Sequence, residues 1–242
     1  FGPNYPKQFD DVSFGKGNTK RNEVILLKEK SPAKALVPKS INDGKGWKEL
    51  DFDDSAWKQG KTAVGYDYGN RVGLDVSTMR NSTESVYIRV PFNVSNISEF
   101  EEVILRLKYE DGFTAFINGK KISSDNAPRT LNWKSGAPQN RPDSIATTPV
   151  EFNISGFSNL LLEGKNILAI QGLNNQVTSS DLLIHPEIIA YKKTEVNDTY
   201  GFMFQPSPGK KNNETVPGME DGVLFSKPSQ TFQTSLQIEL KK

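Results

Sequence analysis

Residues 85–94, SVYIRVPFNV, decide how the rest of the chain folds. Val86, Ile88, Val90, Phe92 and Val94 recur at every second position, with Tyr87, Arg89 and Asn93 between them. Side chains alternate across a strand, so this spacing predicts a β-strand with one apolar face in a core and one face in water. Downstream, 102–122 (EVILRLKYEDGFTAFINGKKI) repeats the pattern, with Val103, Leu105, Leu107 and Tyr109 in phase and a second run from Phe113 to Ile117. Asn118-Gly119 then predicts a tight hairpin, because both residues tolerate the positive φ of a type I′ turn.

Later, NILAIQGL (166–173) is a continuous apolar run suited to a strand covered on both faces, and DLLIHPEIIAYKK (181–193) supplies a closing strand with Pro186 as a local irregularity. Helical periodicity is absent except around GFSNLLLEG (156–164). Short strands at this spacing, with no helical crossovers, predict an all-β, two-sheet jelly-roll sandwich.

The regular pattern runs from 24 to 192. Before it, residues 1–23 are rich in Gly, Pro and Asn and read as an N-terminal arm or the end of a preceding domain. After it, 193–222 reads as a linker, and 223–242 as a β-hairpin that opens a following immunoglobulin-like module. Phe1 in place of an initiator Met marks a processed form or a piece of a longer chain.

Composition narrows the partners. Thirty Lys and Arg oppose twenty-nine Asp and Glu, so the net charge of +1 gives no broad attraction to a nucleic-acid backbone or an anionic membrane. No apolar run approaches the roughly 20 residues of a membrane-spanning helix. Cysteine is absent, which removes disulfides, thiol catalysis and thiolate metal sites. The single histidine, His185, sits in the apolar closing strand, and no nucleophile triad, zinc spacing or phosphate-cradling loop accompanies it. The expectation is therefore a protein without catalysis.

Several phrases carry a resemblance. GWKELDFDDSAWKQGKTAVGYDYG (46–69), VYIRVPF (86–92), LRLKYEDGFTAFINGKKI (105–122), NAPRTLNW (126–133), LEGKNILAIQGLN (162–174) and SSDLLIHPEI (179–188) together resemble a galactose-binding-like jelly-roll domain. Such domains occur in large secreted bacterial proteins that also carry lamin-tail and spore-coat-kinase-like domains. The pairing of FDDSAW with DGFTAFINGKKI is also similar to the sugar-binding domain of glycoside hydrolases. More weakly, PKQFDDVSFGKG (6–17) resembles the end of a lamin-tail domain, and GFMFQPSPGKKN with VLFSKPSQTF (201–212, 223–232) the junction into an immunoglobulin-like module. The resemblance implies a non-catalytic carbohydrate-binding module of a secreted or cell-surface multidomain protein, whose partners are a polysaccharide or glycan and its neighbouring domains. A structural spacer or adhesion segment without a glycan ligand is the alternative.

Two candidate sites follow. Tyr66, Tyr68, Asp111, Arg129, Trp133, Asn174, Asn175 and Asp181 combine aromatic rings with amide, carboxylate and guanidinium groups in loop-like surroundings, the chemistry that recognises sugar hydroxyls beside a ring platform. Turn anchoring accounts for the same residues structurally. Galactose-binding-like domains often hold a structural Ca²⁺ near one end, and Asp53, Asp54 and Glu187, with Asp43 as a substitute, are the oxygen donors expected for it. The competing reading of FDDSAW is a turn capped by its own carboxylates, with Trp57 plugging the sandwich end.

Overall fold

A computed structural model describes residues 22–192 in full and, outside them, the backbone of short strands at 13–16, 200–203, 224–225 and 240–241. The chain divides into two compact units, one of residues 22–193 and one of residues 1–21 together with 194–242. In the terminal unit, β1 (Ser13–Lys16) pairs antiparallel with a strand at Tyr200–Met203, and Leu224–Phe225 pairs with Leu240–Lys241. Most of the stretches expected as an arm (1–23), a linker (193–222) and a hairpin (223–242) lie outside the described residues.

The larger unit is a two-sheet β-sandwich. Its strands begin with β2 (Glu23–Leu27), β3 (Pro32–Leu36), β4 (Lys58–Lys61), β5 (Val64–Tyr66) and β6 (Leu74–Asp75). They continue with β7 (Ser85–Val94), β8 (Phe100–Glu110), β9 (Gly112–Ile117) and β10 (Lys120–Asp125). Finally come β11 (Val150–Asn153), β12 (Gly164–Leu173) and β13 (Leu182–Lys192). One sheet has the order β10-β9-β12-β7-β3-β4, and the other β11-β8-β13-β5-β6. In the second sheet β2 also pairs with β13, beyond the end of β5, so the two short strands follow one another along one side of the long one. The GFSNLLLEG segment forms only a 3-10 turn, Ser155–Leu160.

The alternation read from 85–94 holds for the core. Val86, Ile88, Val90, Phe92 and Val94 meet Val103, Leu105, Leu107 and Tyr109 between the sheets, with Leu168, Ile170, Ile184 and Ile188 from β12 and β13. Asn118 and Gly119 take φ of 46° and 89°, and Ile117 pairs with Lys120, which makes the two-residue hairpin turn. Between β8 and β9 the chain crosses from one sheet to the other. Gly112 starts β9 so close to the 125–126 backbone that a Cβ there would meet the Asn126 carbonyl oxygen at 2.1 Å.

The other face of β7 is wet only in its second half, where Pro91 and Asn93 are exposed. Tyr87 and Arg89 are buried, Arg89 to 2% exposure, because residues 46–57 fold back over the outer face of the first sheet. Trp47 stacks on Tyr87 at 4.4 Å between ring centroids and meets Phe116 edge-on at 5.9 Å, and these rings form a second apolar cluster with Trp57 and Ala169. The Arg89 guanidinium pins the covering segment: Nε donates to Asp54 Oδ2 at 2.7 Å, Nη1 to the carbonyl oxygens of Trp47 and Glu49, and Nη2 to those of Leu50 and Phe52. A guanidinium's planar fork matches such a ring of acceptors, and a buried one needs it. The core face of β7 is as the alternation predicts, whereas Tyr87 and Arg89, expected in water, are covered and Asn93 is exposed.

Removing one partner of a buried charge network costs about 3–5 kcal/mol. Arg89→Met should lower stability by that much in urea denaturation, with loss of the Trp47 near-ultraviolet signal, and Ile88→Asp should do comparable damage from the core side. An unchanged midpoint for Arg89→Met would mean that the covering segment holds without its guanidinium.

Candidate functional site

One end of the sandwich gathers side chains from β5, from the β8–β9 crossover and from the loop between β12 and β13. Asn174 Nδ2 donates to the Tyr66 hydroxyl at 3.0 Å, and that hydroxyl donates to the Ser179 carbonyl oxygen at 3.0 Å. Asp111 accepts main-chain N–H bonds from Arg141 and Asn175 at 2.7 and 2.8 Å. The Tyr68 hydroxyl donates to Glu110. Carboxylate oxygens of Glu110, Asp143 and Asp181 lie within 4.8 Å of one another.

Six of the eight residues expected at a ligand surface, Tyr66, Tyr68, Asp111, Asn174, Asn175 and Asp181, thus meet in one neighbourhood. Most of their polar capacity is spent inside the protein. Tyr66 is buried and belongs to the main core, so its ring is no platform. Trp133 is half-buried and packs against the Trp47 cluster on the outer face of the first sheet, with Lys134 Nζ 4.7 Å above its ring. Arg129 is exposed on the same 126–138 loop. That loop touches the end cluster through its backbone, Ala137 N–H donating to the Asn174 carbonyl oxygen, but the Trp133 ring points elsewhere.

The electrostatics of the end cluster are unusual. Glu110 is 2% exposed and Asp111 fully buried. Burial pushes the Glu110 carboxyl up to about 8, opposed by the Tyr68 hydroxyl and reinforced by the negative charge of Asp181 and Asp111. Burial raises Asp111 as well, against the pull of its two N–H donors. Neither Glu110 nor Asp143 was singled out from the sequence. Glu110 ends a strand on what the alternation marks as its wet side, and Asp143 opens a single helical turn, Asp143–Ala146, in a polar loop.

The structure does not unite the acids expected to bind Ca²⁺. Asp54 is held by Arg89 and, at 2.7 Å, by Lys34 on the outer face of the first sheet. Glu187 faces outward from the second sheet, 4.0 Å from Arg106, so the whole sandwich lies between them. Asp53 caps its own turn by accepting the Ser55 N–H at 2.9 Å, and Asp43 does the same for Lys39 and Ser40. Among the described residues, the acids grouped closely enough for a cation are Glu110, Asp143 and Asp181. They fit one in kind: hard oxygen donors, two of them buried, supplying three of the roughly six to eight ligands calcium takes.

A groove on the outer face of the first sheet was not foreseen. In the sheet register Lys34 stands opposite Arg89 and Ile167 opposite Pro91, so these side chains share one face. With Phe52 and Leu50 from the covering segment, Asp54, Gln59 from β4 and Lys165 from β12, they line a cavity of about 290 Å³. The Phe52 ring carries the Arg89 guanidinium 5.3 Å from its centroid on one side and meets Trp57 edge-on at 5.6 Å. Nothing in the sequence marks the groove, since Arg89 between apolar neighbours reads as an ordinary water-facing residue of an alternating strand.

No protein-family model matches the sequence, and no curated protein matches it either. Among solved structures, the chain is similar to a β-glucuronidase from an uncultured Clostridium species, at 13% identity and a TM-score of 0.44, covering 79% of this chain and 35% of that one. It is also similar to a Bacteroides uniformis β-glucuronidase, at 16% identity and a TM-score of 0.46, covering 70% and 18%. A glycosyl hydrolase family 2 member from Bacteroides cellulosilyticus matches at 12% identity and a TM-score of 0.41, covering 70% and 20%. This chain spans about a third or less of the length of each structure it matches.

Proposed function

We propose that this chain is a non-catalytic carbohydrate-binding module of a secreted or cell-surface multidomain protein, and that the sugar lies in the groove beneath Phe52. The groove carries this reading. Its volume of about 290 Å³ falls just below the roughly 300–1,000 Å³ typical of small-molecule sites. Its walls combine an aromatic ring and aliphatic carbons of Leu50, Pro91 and Ile167 with the amide of Gln59 and the ammonium groups of Lys34 and Lys165. Apolar ring faces and hydroxyls of a pyranose call for that combination. Gln59 and Lys165 are exposed. Residues poised for acid–base chemistry on a glycosidic bond do not line it: Asp54, its one acid, is held below the usual carboxylate range by Lys34 and Arg89 against the opposing effect of burial.

Calcium is proposed at the sandwich end, on Glu110, Asp143 and Asp181. The three carboxylates repel one another, and a divalent cation relieves that repulsion and stabilises the charged forms. Its role there is structural, fixing the β8–β9 crossover against the loop before β13.

For the groove, Gln59→Ala and Lys165→Ala should each weaken binding of a glycan-array hit about tenfold by calorimetry, with unchanged melting temperature. Silence across a broad array would favour the spacer reading. For the cation, a carboxyl raised from 4.5 to about 8 binds more protons in the native than in the unfolded state between those values. In chelator, stability should therefore be fullest below about pH 4.5 as far as this group is concerned, fall as the pH rises towards 8, and fall less in Glu110→Gln. Calcium should reverse the loss at pH 8, raising the melting temperature of the wild type but not of Asp181→Asn. A melting curve insensitive to calcium at pH 8 would leave the three acids without a metal.

A further inference from the structure

The outer face of the second sheet holds a second cavity, of about 420 Å³, that neither the sugar groove nor the acidic cluster explains. Lys108 on β8 and His185 on β13 stand opposite each other in register and form its floor with Leu183. Glu29 and Lys30 from the turn after β2, Asn70 and Arg71 from a 3-10 turn after β5, and Thr147 complete the wall.

Three cations thus face one carboxylate. Glu29 is committed to Lys108, whose Nζ donates to it at 2.5 Å, and it stands 3.9 Å from His185 Nδ1. Lys30 and Arg71 have no carboxylate partner within ion-pair distance among the described residues. In a chain whose charges otherwise balance almost completely, this lining has a local excess of two positive charges. Like charges converging on one concavity repel unless an anion joins them. Glu110 lies two residues along β8 on the same face, but it is buried and does not line the cavity.

We propose that this pocket seats a compact oxyanion, the carboxylate or sulfate substituent of an acidic saccharide, between Lys30, Arg71 and Lys108. A guanidinium takes such a group through two parallel N–H bonds, with the ammonium groups as point charges beside it. That a saccharide carries the anion rests on the carbohydrate reading above, whereas the preference for an anion rests on the three cations alone.

His185 is the single histidine of the chain, so its ring nitrogen resonances report on the pocket without overlap. The full chain is titrated with sodium glucuronate, with sodium sulfate and with uncharged glucose, at constant ionic strength set by chloride. Saturable shifts of the His185 ring with glucuronate or sulfate, absent with glucose, are expected; the stronger of the two names the substituent. The Lys30→Gln/Arg71→Gln variant should weaken binding at least tenfold with an unchanged melting temperature, and Glu29→Gln should strengthen it. Equal shifts with glucose, shifts that never saturate, or full affinity in the double variant would overturn the proposal. Saturable sulfate binding by a chain that retains no glycan on an array would leave the anion site standing and remove the saccharide.

Discussion

A single guanidinium sits where the fold could least tolerate an error. Arg89 occupies the middle of a central strand, with Ile88 and Val90 in the core on either side, and its charge is neutralised by a segment 35 to 42 residues earlier in the chain. Without that segment the guanidinium and the ring of Tyr87 would face water. Without the guanidinium, four main-chain carbonyls would each lose a donor in a partly buried place and Asp54 would keep only Lys34 as its charged partner. The two halves satisfy each other. The groove under Phe52 exists because that segment is held at a fixed height above the sheet.

The same interaction shows where sequence reading succeeds and where it stops. Period-two alternation identified the core faces of β7 and β8 residue by residue, because the core is continuous and every inward side chain meets another apolar one. It misjudged Tyr87 and Arg89 on the outer face of β7, though not Asn93, because the cover comes from GWKELDFDDSAW, a stretch with no strand periodicity whose docking is set by long-range contacts alone. Asp54 illustrates the cost. A carboxylate in a turn can cap, pair or bind metal, and only the neighbours brought by folding, here Lys34 and Arg89, choose among the three.

At the sandwich end the residue types were legible and their roles were not. Tyr66, Asp111, Asn174 and Asn175 do meet, since β5, the β8–β9 crossover and the loop before β13 end together. Yet they meet by bonding to one another, and the carboxyl groups that cluster beside them are Glu110, Asp143 and Asp181. Strand phase hid Glu110, and nothing marks Asp143 apart from other loop acids. Burial, which turns an ordinary glutamate into one that holds its proton near neutrality, is a property of the assembled end and not of any local pattern.

The two outermost strands of the first sheet have a further consequence. β4 reads KQGK and β10 reads KKISSD, both short and both carrying exposed lysines. An open strand edge offers unpaired N–H and C=O groups to any other strand of the same kind, and charged side chains along it are the common way proteins discourage that pairing. Two molecules approaching edge to edge here would bring lysine against lysine, so crowding should favour separate sandwiches over a continuous intermolecular sheet.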